Sequence, residues 1–295
     1  MISASTSFII PTKNRITDLI KTIKSINKQN ILPDELLIID QSFCNHESRI
    51  KNALKNNIKL KYFHEVAIKS LTQAKNFAIK KVSGDIIFFL EDDIILCKDF
   101  IINILKVFSY KKKLKGVCGI LINERISFFK RYLKIIFYQG LFNDPRLKQW
   151  NNLESKEVIL SDKISGGISA WKKKVFLKTK FDSKNKLHLF EDIDFSVRVN
   201  KLWINSTAIV TSSQVVHKWS KINRNKDVKL LKMKIQESYI FYNKNSKRII
   251  KTDYLIFKFS LFLFSVFLTI KNLDIKYLII YFIESKLLPK KYYEL

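Results

Sequence analysis

Three short apolar runs that stop abruptly on polar residues constrain this chain most. SFII (7–10) runs into Pro11-Thr12, LLII (36–39) into Asp40, and IIFFL (86–90) into Glu91-Asp92-Asp93. Each run is too short for a helix and suits a buried strand. After the first, Ile16, Leu19, Ile20, Ile23 and Ile26 recur at helical spacing. Further helices are expected over 47–55, 71–81 (capped by Ser70) and 99–110, and further strands near 58–63 and 116–122. Strands alternating with helices pair in parallel through right-handed crossovers. The N-terminal part therefore predicts an open, mostly parallel α/β sheet flanked by helices.

Composition removes some classes. Apolar residues make up 47% of the 295, with only six glycines and four prolines, which excludes disordered and collagen-like chains. The net charge of +28 asks for an anionic partner such as nucleic acid, a phosphate-bearing ligand or an acidic membrane surface. Only eight of the 54 basic residues are arginine, so part of the excess reads as lysine-rich background. Cys44, Cys97 and Cys118 match neither a disulfide framework nor a zinc spacing, and the first residues lack the pattern of a secretory signal. A reduced, cytosolic compartment is the expectation.

The C-terminal part differs. A basic helix is expected over 226–245, followed by LIFKFSLFLFSVFLTI (255–270) and a second apolar stretch at 277–283. The uninterrupted run Phe259–Ile270 has 12 residues, against about 20 for a spanning helix. A helix lying in the bilayer interface, flanked by Lys251, Lys271 and Lys276, is the expectation, with a helical hairpin packed on the protein as the alternative. The amphipathic, lysine-punctuated segment 126–142 points the same way.

The chemistry-bearing residues cluster at strand ends, where open α/β sheets bind ligands. Carboxylates packed as closely as Glu91-Asp92-Asp93 raise one another's pKa, and a divalent cation shared with a diphosphate relieves that repulsion. An acidic loop ahead of the 99–110 helix would use the same residues. Asp40 and Pro11-Thr12 fall on the same sheet edge, and neither GxGxxG nor GxxxxGK[ST] occurs in the chain. Gly166-Gly167 allows a backbone to approach a ligand or to turn tightly. Glu191, Asp192 and Asp194 suit a helix N-terminus. His217, in VVHKWSK, follows a strand and reads as a surface histidine or, with Ser220 and Arg224, as part of a group that could reach a diphosphate. His46, His64 and His188 match no motif and read as structural or exposed.

The succession SFIIPTKNR, LLIIDQS, LTQAKNFAIKKVSGDIIFFLEDD, ISGGISAWKKKVF and FEDIDFSVRV resembles the family-2 glycosyltransferases of the GT-A fold over about residues 5–225. The resemblance implies a nucleotide-sugar pocket on Pro11, Thr12, Arg15, Asp40, Lys75, Glu91 and Asp92. It implies a divalent metal (Mn2+ or Mg2+) on Asp93 with His217, Asp192 as catalytic base, and Gly166, Gly167 and Glu191 on the acceptor side. The chain departs from the family's pattern at Glu91 (commonly Asp), Lys13 (often aromatic) and Lys75 (often Arg). It also lacks the QxxRW segment of processive synthases.

The expected organisation is a GT-A domain over 1–225 and a membrane-associated helical segment over 226–295. The expected activity is inverting, metal-dependent, non-processive transfer from a nucleotide-diphosphate sugar to a glycan or lipid-linked acceptor in cell-surface polysaccharide synthesis. Its expected place is the cytoplasmic face of the inner membrane, peripheral or monotopic. Two alternatives stand beside it: an inactive membrane-surface adaptor on the same fold, and a basic nucleic-acid-binding protein. The acidic triplet argues against nucleic acid as partner, because it would repel phosphates.

Overall fold

A computed structural model describes residues 4–124, 127–149, 157–185, 187–220, 222 and 227–291. The described residues form two compact units, one made of 1–125, 149–186 and 191–223, the other of 126–148, 187–190 and 224–295.

The first unit carries a nine-stranded sheet among the described residues. Its first half holds β1 (Thr6–Thr12), β2 (Glu35–Asp40), β3 (Lys59–His64) and β4 (Ile86–Leu90), in the order β3-β2-β1-β4 and parallel throughout. The chain steps outward from β1 to β3 and then returns to the other side of β1 for β4. That reversal puts a topological switch point between the carboxyl ends of β1 and β4, where ligands of such sheets bind. β4 is buried on both faces: Phe88 packs on Phe8 and Phe100, and Phe89 on Phe176 and Phe181. This is why it reads as an unbroken apolar run.

Beyond β4 the sheet becomes mixed. β5 is Ile94–Leu96, β6 is Gly116–Leu121, β7 is Val158–Leu160, β8 is Ile168–Lys172 and β9 is Thr207–His217. β8 lies antiparallel between β4 and β6, β6 is parallel to β9, and β5 and β7 are antiparallel to β9. The helices are α1 (Ile16–Ile26), α2 (Glu47–Ala53), α3 (Leu71–Ile79), α4 (Phe100–Tyr110) and, later in the chain, one at Glu191–Leu202. Ser70 caps α3 as expected, its hydroxyl accepting from the Gln73 N–H at 3.2 Å. β5 was not expected: three residues directly after an acidic triplet carry too little pattern to read as a strand.

The second unit is helical: α5 (Phe128–Phe142), α6 (Pro145–Gln149), and, with α7 the helix at 191–202, α8 (Asp227–Lys244), α9 (Lys251–Asn272) and α10 (Lys276–Lys291). This division differs from a single cut at residue 225, because residues 126–148 and 187–190 group with the C-terminal helices. The reason is aromatic packing. Tyr138 and Phe142 of α5 meet Phe257 of α9 edge-on at 5.0 and 5.3 Å, and Phe142 also meets Phe190 and Phe241. Glu237 of α8 completes the link by accepting the N–H groups of His188, Leu189 and Phe190.

Candidate active site

The switch point is closed by a hydrogen bond between its two strands. The Thr12 hydroxyl, at the end of β1, donates to the Asp92 carboxylate at 2.7 Å. Asp92 also takes a 3.1 Å bond from the Arg15 guanidinium. Burial pushes the Asp92 carboxyl up to about 6, with the Asp93 charge adding to the rise and Thr12 and Arg15 opposing it. Pro11 is half-buried within β1, opposite Ile39.

The antiparallel register of β5 on β9 pairs Ile94 with His217 and so delivers that histidine to the acidic triplet. His217 Nε2 lies 3.0 Å from Glu91 Oε2 and 3.0 Å from Asp93 Oδ1. Burial pulls the imidazolium down, but the Asp93 and Glu91 carboxylates outweigh it and raise its pKa to about 9. Asn123 holds the histidine backbone from both sides, accepting from its N–H at 3.0 Å and donating to its carbonyl at 2.7 Å. Trp219, in the left-handed region with φ 46°, turns the chain so that the Ser220 N–H donates to Asp93 Oδ2 at 2.9 Å. A bulky residue in that conformation persists only where its surroundings enforce it.

The three donor atoms of Glu91, Asp93 and His217 lie within 4.8 Å of one another. Two carboxylates and one imidazole so placed could hold a divalent metal ion.

Across the sheet, β8 lies antiparallel to β4 with Leu90 opposite Ile168, so Gly167 falls beside Glu91. The Glu91 N–H donates to the Gly167 carbonyl at 2.9 Å. Gly166 donates its N–H to Asp192 Oδ2 at 2.9 Å, and Ile193 N–H donates to Asp192 Oδ1 at 2.8 Å. A Cβ on Gly166 would sit 2.6 Å from the Asp192 Cβ, and one on Gly167 would sit 2.4 Å from the Glu91 carboxyl carbon. Glycine here serves close approach, as neither position has a positive φ. The pair thus ties the Glu91–Asp93–His217 triad to the N-terminus of α7.

Glu191 is buried beneath this loop, 2.7 Å from the Lys75 ammonium. Burial, with the charges of Asp192 and Glu91, raises its pKa to about 7 against the pull of Lys75. Lys75 is itself 3% exposed and enclosed by the rings of Phe89 and Phe181. It therefore lies under the glycine loop rather than on an open surface. Asp194 pairs with Arg198 one turn along α7.

Asp40 differs from expectation in its surroundings. Its carboxylate is fully buried and accepts from the Tyr62 hydroxyl at 2.8 Å and the Ser42 N–H at 2.9 Å, with His46 Nδ1 also 2.9 Å away. Burial would raise its pKa, yet these partners hold it below the usual carboxylate range. His46 and Tyr62 carried no motif; the parallel register of β2 on β3 brings Tyr62 beside this strand end. Ser220 lies at the triad through its backbone, and Arg224 lies outside the described residues.

A family model described as Glycosyl transferase family 2 matches residues 7–176. An uncharacterized glycosyltransferase of Rickettsia conorii is 37% identical over 93 residues, covering 32% of this chain and 15% of its own length. The GalNAc(5)-diNAcBac-PP-undecaprenol beta-1,3-glucosyltransferase of Campylobacter jejuni is 34% identical over 89 residues, 30% of this chain and 29% of its own. The chain thus spans less than a third of the length of either relative. Among solved structures, a mannosyltransferase from Pyrobaculum calidifontis in complex with GDP-Man and Mn2+ superposes with a TM-score of 0.57 at 14% identity, over 83% of this chain and 64% of that one. Glucosyl-3-phosphoglycerate synthase from Mycobacterium tuberculosis gives 0.55 at 17% identity, over 82% and 80%.

Proposed function

Because the chain belongs to glycosyl transferase family 2, we propose that it moves a sugar from a nucleoside-diphosphate donor to a hydroxyl of a glycan or lipid-linked acceptor, with inversion and without processivity, in cell-surface polysaccharide synthesis. One observation carries this reading. The Glu91–Asp93–His217 triad and the carboxylate of Asp192 are joined through Gly166-Gly167, which bonds to Glu91 on one side and to Asp192 on the other.

In this reading Glu91, Asp93 and His217 would hold a divalent ion, which when bound would supply positive charge beside the departing diphosphate. Thr12, Arg15 and Asp92 shape the donor side, and the buried Asp40 fixes the neighbouring strand end with Tyr62 and His46. Asp192 removes the acceptor proton. A carboxylate has about four lone-pair sites, and two backbone N–H groups occupy two of those on Asp192. Among the described residues no other donor meets the remaining sites, which leaves them to an acceptor hydroxyl. Glu191 is the poorer base, since it is buried and committed to Lys75. The acceptor oxygen bonds to the anomeric carbon as the bond from that carbon to the diphosphate oxygen breaks. One displacement inverts the centre and needs no covalent intermediate.

A lipid-linked acceptor at the cytoplasmic face of the inner membrane, reached by a peripheral or monotopic protein, fits the C. jejuni relative's name and the long apolar helix α9. Replacing Asp192 by Asn tests the base directly. Transfer should fall by about 10²-fold or more while donor binding stays near that of the unaltered chain. Undiminished turnover in that variant would refute the assignment.

A further inference from the structure

The second unit presents an apolar surface that its own helices leave uncovered. On α9 the exposed large side chains are Leu255, Ile256, Phe259, Leu263, Phe267 and Ile270, a stripe at helical spacing. The opposite face, with Tyr254, Phe257, Leu261 and Leu268, is buried. On α10 the exposed positions include Ile279, Phe282, Ile283 and Leu287, and on α5 Phe128, Phe129, Tyr132 and Ile136. Ring contacts join the three stripes. Phe137 of α5 meets Phe259 at 6.4 Å, Phe259 meets Phe262 at 6.1 Å, and Phe262 meets Phe282 of α10 at 6.1 Å. The connection between α9 and α10 adds Leu273 and Ile275, 93% and 66% exposed. An apolar face running over three helices is the kind of surface that marks a protein or membrane contact.

Lysines frame this face. Lys251 and Lys271 stand at the two ends of α9, Lys276 opens α10, and Lys130 lies in the first turn of α5, all exposed. Long cationic side chains at the rim of an apolar surface reach outward to anionic headgroups. The occupant that fits both features is the surface of an anionic bilayer.

The packing also sets how the helices lie. With 22 residues α9 is about 33 Å long and, unlike the 12-residue run read from the sequence, is long and apolar enough to cross a bilayer by length and composition. Its partners are not suited to accompany it. α10 has 16 residues and α5 has 15, about 24 and 22 Å, short of the hydrocarbon thickness. α8 carries Asp227, Lys229, Lys232, Lys234, Glu237 and Lys244. Glu284 of α10 is held by Gln236 of α8 at 2.7 Å, a polar contact that ties the pair together. A helix with one face packed on such neighbours and the other bare suits a position in the membrane plane better than a crossing.

We propose that α5, α9 and α10 form a monotopic docking face, inserted side-on into one leaflet of an anionic membrane with the framing lysines at the headgroups. This deepens the membrane reading above by naming the surface and its orientation. It is tested without catalysis, so the Asp192→Asn protein should dock like the unaltered chain, and failure of the transferase reading leaves this result intact.

The experiment uses the full chain and extruded vesicles of phosphatidylcholine alone or mixed with phosphatidylglycerol, with co-flotation as the readout. Binding should favour the anionic vesicles and weaken about fivefold for each of Lys251→Gln, Lys271→Gln and Lys276→Gln. The combined variant Leu263→Ser, Phe267→Ser, Ile270→Ser should lose about a hundredfold in partitioning. A second measurement does not depend on that variant folding. Lys251→Cys and Lys271→Cys, at the two ends of α9, should both react with an impermeant maleimide added outside the vesicles, as read by peptide mass. Absence of binding to anionic vesicles would overturn the proposal. So would protection of one end of α9, which signifies a span. A stable dimer dispersed by the serine substitutions would do the same, since a second copy would then be the cover.

Discussion

The proton on His217 is the most direct handle on the metal-competent triad. A divalent ion entering between Glu91, Asp93 and His217 must displace a proton from an imidazolium whose pKa is about 9. At pH 7 that displacement costs a few kcal/mol. Affinity should therefore follow the deprotonated fraction. Raising the pH from about 6 to about 8 should tighten Mn2+ binding about ninetyfold, against about fourfold for a histidine of ordinary pKa. The sign is fixed by the direction of the shift: below about 9 the triad keeps its proton, and the metal competes with it more easily as pH rises. Isothermal titration in two buffers of different ionisation enthalpy reads both quantities, and close to one proton should be released per ion near pH 7. His217→Gln should bind more weakly and lose the steep pH dependence. A flat affinity between those pH values, or binding without proton release, would refute the three-way contact as the metal site.

Two further outcomes follow from buried contacts. Glu35 is buried, yet the Lys61 ammonium at 2.6 Å and the Ser7 and Ser83 donors outweigh burial and hold its pKa at about 2. Its contribution, about 3 kcal/mol from roughly 2.5 units, is present above pH 4.5 and lost as pH falls through about 2. Urea unfolding of Glu35→Gln near neutral pH should show a loss of that size; a change under about 0.5 kcal/mol would contradict the ledger of partners. Gly167→Ala should displace the half-exposed end of Glu91 with little cost in stability, yet weaken Mn2+ about tenfold. Gly166→Ala meets the Asp192 Cβ, which cannot yield as easily, and should lower both Tm and turnover. Equal behaviour of the two variants would mean that the loop does not link the two halves of the site.

Much of the first unit was legible because its strands are unbroken apolar runs that end on chemistry. Thr12, Asp40 and Glu91–Asp93 could be put on one edge from those runs alone. What remained hidden depends on partners distant in sequence. β5 is three residues long, and only its pairing with β9 brings His217 onto Asp93. Lys75 gives no sign in its own segment that Phe89 and Phe181 enclose it. Asp40 reads as a strand-end ligand until β3 supplies Tyr62. The amphipathic pattern of α5 announces an apolar face but not that α9 is its neighbour.

The central claim is that this sheet edge binds a nucleotide-sugar together with a divalent ion. Thermal unfolding of the full chain with UDP-, dTDP- and GDP-sugars, each with and without Mn2+, tests it most directly. One donor with Mn2+ present at about 100 times its Kd should add about 2.7 kcal/mol, a rise of several degrees in Tm, and Asp93→Asn should abolish the rise. No rise with any donor, or an equal rise in Asp93→Asn, would contradict it.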